Sequence, residues 1–407
     1  MSLYRAVLAL PGVAPLLVAA TLARLAGRMF LVVLVLYALA RFGDAEVAGW
    51  AGFAALIPGL VASPLAGALL DRLGAGRMII ADLVISALWL AVLAAAEAKG
   101  AMTAPLLLAL AALYGVTTPL STAGVRAILP RLVPEAARDA VNALDTTVNA
   151  AVDLAGPLIA GPALGLLGAP AAFGLIALLY AVAALAGLRV LSRDVPAGVA
   201  VSAGLFAQAL AGVRLVAAHR VLRGVALSYG LQMVSWGMML VIVPVAVAAA
   251  IGAGPAAESL TGGLWAVAGA AGIVGALSAG RFGIIGREGA VIALGGLATA
   301  IALFPLAGFG LPGLLAGMLL MNFAAGPVDV AVLTLRQRRT EPAMLGRVIA
   351  VSMSFNMCGL PIGSALGGML AAHSLPLALA GAALASLASA MLARALLRSE
   401  LGHRCLS

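Results

Sequence analysis

The sequence predicts an all-α membrane protein of twelve transmembrane helices, arranged as two pseudo-symmetric six-helix bundles. Three observations predict it: an apolar excess that no soluble surface could hide, twelve apolar runs of spanning length, and basic residues confined to alternate connections. Of 407 residues, 64% are hydrophobic and 10% charged, and the mean hydropathy is +1.16. Soluble domains carry roughly 25% charged residues, so the bilayer has to take the excess.

A spanning helix needs about 20 apolar residues. Runs of that kind lie near 14–40, 45–70, 77–96, 102–124, 142–167 and 170–190, then near 221–250, 260–280, 288–308, 311–333, 346–372 and 375–397. With the N-terminus in the cytoplasm, all but four of the 24 Lys and Arg fall on the cytoplasmic side. Arg41 and Lys99 lie outside, and Arg24 and Arg28 lie within the first span. This bias is the positive-inside pattern, and it makes both termini cytoplasmic, in a bacterial inner membrane. The net charge of +9 therefore reads as topology. Arginines set one to three at a time between apolar runs form no nucleic-acid face.

Several chemistries are excluded. Cys358 and Cys405 give neither a disulfide framework nor a metal spacing. His219, His373 and His403 stand far apart with no acid or cysteine at ligand spacing. No phosphate-binding Gly-Lys-Thr motif occurs, so neither a cofactor nor an enzymatic activity is expected. The first apolar run is longer than a signal-peptide core and carries internal arginines.

The chain divides into an N-terminal six-helix bundle at 1–190, a cytoplasmic linker at 191–220, and a C-terminal bundle with a short tail at 221–407. Within the linker, Leu205, Leu210, Val213 and Val216 recur at helical spacing, which predicts an amphipathic helix on the membrane surface. The halves echo one another in Gly67-Ala68-Leu69 and Gly275-Ala276-Leu277. They do so again in Gly156-Pro157 and Pro361-Ile362-Gly363. Duplicated bundles suit a transporter, because similar halves can rock about a central site.

Between the second and third spans the chain reads Gly67-Ala68-Leu69-Leu70-Asp71-Arg72-Leu73-Gly74-Ala75-Gly76-Arg77. This resembles the G-x-x-x-D-R-x-G-R-R signature of the major facilitator superfamily, with an extra residue or two before Arg77 and no second terminal basic residue. Ile128-Leu129-Pro130-Arg131-Leu132-Val133-Pro134-Glu135, Asn142-Ala143-Leu144 and Gly156-Pro157 resemble the corresponding region of that family's drug and siderophore exporters. So does Arg336-Gln337-Arg338-Arg339-Thr340 with Gly346-Arg347-Val348.

The resemblance implies a cytoplasmic gate of Gly67, Asp71, Arg72, Gly74 and Arg77, with Asp71 facing the eleventh span near Gly346 and Arg347. It also implies an antiporter-like packing motif at Gly156, Pro157 and Gly161. The family's arginine within the fourth span is missing, since 101–124 holds no charge.

Charges inside spans need partners or water. Arg24 and Arg28 share one helix face. Counted from residues 14 and 142, Arg24 and Asp153 reach similar depth, so this pair is expected to form one unit for substrate binding or proton coupling, or else a permanent salt bridge. Asp82, Asp145 and Asp329 read as gate or packing residues near cytoplasmic ends. Trp50, Trp89, Trp236 and Trp265 read as interfacial anchors or cavity walls.

Together these expectations describe a monomeric secondary transporter among membrane lipids, exporting a hydrophobic or amphipathic small molecule in exchange for protons by alternating access. The rivals are an uptake symporter or lipid translocator of the same fold, and a non-transporting membrane protein.

Overall fold

The computed structural model describes residues 3–191, 213–282, 284, 286–304, 308–340 and 342–397. Among these the regular structure is helical. A short helix α1 (Leu3–Leu8) precedes α2 (Val13–Phe42), α3 (Ala45–Leu73), α4 (Ala75–Ala98), α5 (Ala104–Ile128), α6 (Arg138–Leu167) and α7 (Ala169–Leu191). The second half holds α8 (Arg220–Ile251), α9 (Pro255–Phe282), α10 (Glu288–Ala302), α11 (Gly310–Arg338), α12 (Pro342–Met357), α13 (Gly359–His373) and α14 (Leu375–Leu396).

Eleven helical stretches among the described residues are long and apolar enough to cross a membrane, one of them, Val351–His373, running across α12 and α13, and α10 is a shorter apolar helix. The chain is thus a multi-pass, all-helical membrane protein. Two spans depart from the sequence reading. The ninth, expected at 288–308, stops at Ala302, with Leu303 in a turn. The eleventh breaks at Cys358 into α12 and α13, three residues before Pro361, whose missing N–H removes a rung of the helix. The expected surface helix at 204–216 lies almost wholly outside the described residues.

The chain forms two compact units. The first comprises Met1–Tyr37 and Ala54–Ser202, and the second Ala38–Phe53 and Ala203–Ser407. The early segment in the second unit is held by close packing: Ser364 Oγ donates to the Gly49 carbonyl at 3.1 Å, and a Cβ at Gly49 would stand 2.8 Å from Gly368 Cα.

In each unit, small residues bring backbones together, as membrane helices do in place of hydrophobic association. Pro119 in α5 leaves the Gly115 carbonyl without its helical donor. Gly59 of α3 packs on that oxygen, 2.6 Å from where its Cβ would stand. Pro327 in α11 frees the Phe323 carbonyl in the same way, and Gly275 of α9 packs on it. The second and fourth spans of each half therefore repeat one device, a proline-freed carbonyl met by a glycine. In the second unit Met238, Met239, Ile242, Leu314, Met318 and Leu379 form the main core, with Trp236 and Trp265 packed against it.

Candidate functional site

Two arginine–carboxylate pairs lie between α2 and α6 in the first unit. Arg24 grips Asp145 with both guanidinium nitrogens, Nη1 to Oδ1 at 2.6 Å and Nη2 to Oδ2 at 3.1 Å. Arg28 Nε meets Asp153 Oδ1 at 2.6 Å. Asn149 stands between the two acids and donates to Asp153 Oδ2 at 3.5 Å. Positions 145, 149 and 153 recur every four residues and line one helix stripe, matched by Arg24 and Arg28 on α2.

The expected partnership of Arg24 with Asp153 is corrected here. Helix α6 begins at Arg138, four residues before the assumed start at 142. That moves Asp153 about one turn deeper, to the middle of its 30-residue helix, and Arg28 stands at the middle of the 30-residue α2. Asp145, expected as a gate or packing residue, becomes the partner of Arg24. The useful signal was the four-residue spacing of Asp145, Asn149 and Asp153, which the single depth count passed over.

The pairs differ in environment. The Arg24 and Asp145 side chains are each 20% exposed, against 51% and 44% for Arg28 and Asp153. Gly156 makes the second pair possible, because a Cβ there would stand 2.5 Å from Arg28 Cβ. Pro157 removes the N–H that would bind the Asp153 carbonyl, which adds a second polar group at the same level. Gly161 is buried farther along α6.

Behind the pairs, Tyr114 of α5 and Tyr180 of α7 share a buried hydroxyl–hydroxyl hydrogen bond of 2.6 Å. Gly27 leaves room for it, since a Cβ there would lie 3.2 Å from Tyr180 Oη and 3.3 Å from Tyr114 Oη.

The gate motif is placed in part. Gly74 joins α3 to α4 at φ 90°, a conformation glycine adopts without a Cβ penalty. Arg72 and Arg77 are exposed, and a Cβ at Gly67 would meet open space. The side chains of Asp71 and Arg347 lie outside the described ones.

The second unit holds polar contacts of which the sequence singles out Asp329 alone, as a gate or packing residue. Tyr229 Oη donates to Asp329 Oδ1 at 2.5 Å. Arg336 is 3% exposed and donates to the Asn356 side-chain oxygen at 2.5 Å when that amide is oriented to its neighbours. Arg338 pairs with the fully buried Glu288 at 2.6 Å.

Charged pairs held within spanning helices, among glycine- and proline-shaped contacts, mark a polytopic membrane protein that carries polar groups inside the bilayer. The chain belongs to the Major Facilitator Superfamily, whose profile matches residues 16–283. It is 44% identical over 375 residues to a Sinorhizobium fredii protein described as the uncharacterized MFS-type transporter y4rN, covering 91% of each chain. Its fold is similar to that of the nucleoside transporter NupG, with a TM-score of 0.72 at 14% identity, covering 99% of this chain and all of that one. It is also similar to the peptide transporter POT in complex with sulfate, with a TM-score of 0.72 at 14% identity over 96% and 94% of the two chains. The protein is thus a secondary transporter.

Proposed function

We propose that this transporter exports hydrophobic or amphipathic small molecules in exchange for protons, and that the Arg28–Asp153 pair lies on the substrate path. The observation that carries the path is the exposure of that pair at the middle of two spanning helices. A half-exposed charge at that level costs several kcal/mol in hydrocarbon, so water has to reach it. A pair presenting both signs suits amphipathic solutes, with the apolar part held by surrounding side chains. Arg24, chelated by Asp145, holds α2 on α6 instead of contacting solute. Outward direction and proton exchange rest on the exporter-like stretches at 128–135, 142–144 and 156–157.

The test is counterflow in proteoliposomes with a panel of cationic, neutral and anionic amphipathic compounds, with and without an imposed pH gradient. Counterflow of one class, accelerated by the gradient in the export direction, is expected. No counterflow across the panel would overturn the reading, and accumulation in the uptake direction would reverse it.

The orientation in the inner membrane, with both termini cytoplasmic, follows from the basic-residue bias. In intact cells a cysteine replacing Ala197 should resist impermeant periplasmic reagents. Strong labelling would reverse the orientation.

A further inference from the structure

Asp82 is a buried acid that the charge pairs leave unused. It lies near the start of α4, 1% exposed, and among the described residues no arginine, lysine or histidine forms an ion pair with it. Its partners are hydroxyls. Ser86 Oγ donates to Asp82 Oδ1 at 3.3 Å. Thr117 and Ser121 stand beside it on α5, their hydroxyls donating to the carbonyl oxygens of Tyr114 and Thr118 at 3.4 and 3.3 Å.

Helix α4 packs on α5 and α7. The titratable or charged groups on these helices are Tyr114 and Arg126, Tyr180 and Arg189, with Arg77 and Glu97 on α4 itself, and α2, whose Tyr37 donates to Glu97, adds Arg24, Arg28 and Arg41. The phenols of Tyr114 and Tyr180 lie close enough to Asp82 to interact with it electrostatically, and Tyr114 also interacts with Arg28.

A carboxylate sealed among apolar helices without a cation is held far less readily than the neutral acid. Hydroxyls suit either form, because each both donates and accepts. Thr117 and Ser121, beside the fully buried acid, are themselves only half-buried. We propose that Asp82 is a proton-binding site of the transporter. One proton passes from water by way of Thr117 and Ser121 onto a carboxylate oxygen, giving the neutral acid, and returns by the same hydroxyls. The Tyr114–Tyr180 pair carries the change of charge electrostatically toward Arg28 and Asp153. The link to transport rests on the proton-exchange reading; the proton site itself does not.

The experiment is infrared difference spectroscopy of the purified, lipid-reconstituted full chain between acid and alkaline buffer, reading the carbonyl stretch that only a protonated carboxylic acid shows. Wild type should show a pH-dependent band that Asp82→Asn lacks and Asp82→Glu moves to another frequency. Asp145→Asn should retain it. An unchanged difference spectrum in Asp82→Asn would overturn the proposal. If that variant does not fold, an unmoved band in Asp82→Glu would do so instead. Should the band behave as expected while panel compounds show no acceleration by a pH gradient, the proton site stands and the proton-exchange reading fails.

Discussion

The first long helix of each half of the chain is built on opposite chemistry. Helix α2 carries Arg24 and Arg28 in its interior, each with a carboxylate partner on α6. Helix α8 carries Tyr229, Gln232 and Ser235 in the matching stretch, with no cation among them: Tyr229 donates to the Asp329 carboxyl group, and Gln232 donates to Thr299 at 3.0 Å. In the second unit the cations instead stand in the last turns of α11, as the buried Arg336 and as Arg338 on Glu288. One unit thus displays paired charge at mid-span, and the other sets its cations near a helix end, with Arg336 buried and Arg338 held on a fully buried Glu288. Buried charges of the second kind hold a structure together, because removing one partner strands the other. Charges half open at mid-span are available to a solute.

If that contrast holds, the largest stability effect belongs to the second unit. Arg336→Met takes the donor from the buried Asn356 side-chain oxygen and a nearby positive charge from Asp329, and should cost about 2–3 kcal/mol, read as a fall in the thermal inactivation midpoint of the purified protein. Adding Asp329→Asn should restore part of it. Intact stability in Arg336→Met would remove the structural role given to this network.

Next comes the sheltered pair of the first unit. Asp145→Asn leaves Arg24 without its acid and should cost about 1–3 kcal/mol. A double-mutant cycle of Arg24→Gln with Asp145→Asn should show coupling, and one of Arg24→Gln with Asp153→Asn should be additive. Coupling in the second cycle alone would return the pairing to the one that depth counting suggested.

That pairing shows what the sequence makes legible. Span number, span order and the reach of most helices follow from apolar runs and flanking charges, because the bilayer tests each segment almost independently. Contacts between helices depend on register, and register turns on where a helix begins. Helix α6 runs back through Arg138 to a short turn after Pro134, and those four residues moved Asp153 from Arg24 to Arg28. The Gly59–Gly115 and Gly275–Phe323 contacts were out of reach for another reason. In a chain with 49 glycines, no pattern marks which ones touch a neighbouring backbone. Asp82 reads from the sequence as a gate or packing residue near a cytoplasmic end, because only Ser86 shares its helix while Thr117 and Ser121 come from another.

The smallest stability effect and a large functional one should coincide at the open pair. Asp153→Asn disturbs an interaction already exposed on both sides, so it should cost less than about 1 kcal/mol, while transport of the responsive panel compound falls at least tenfold. A loss of stability matching that of Asp145→Asn, with transport intact, would make this pair scaffolding as well.

The central claim is that water and solute reach the α2–α6 stripe at mid-span. Asn149 tests it without breaking an ion pair, because it lies one turn from Asp153 on the same stripe. With Cys358 and Cys405 replaced by serine, Asn149→Cys should react with a membrane-impermeant, water-soluble methanethiosulfonate in reconstituted protein, since only a hydrated thiol ionises and attacks. A transported panel compound should slow that reaction. A thiol at 149 that stays unmodified in folded, active protein would contradict the account, because the charge pairs would then lie sealed between helices and away from any solute path.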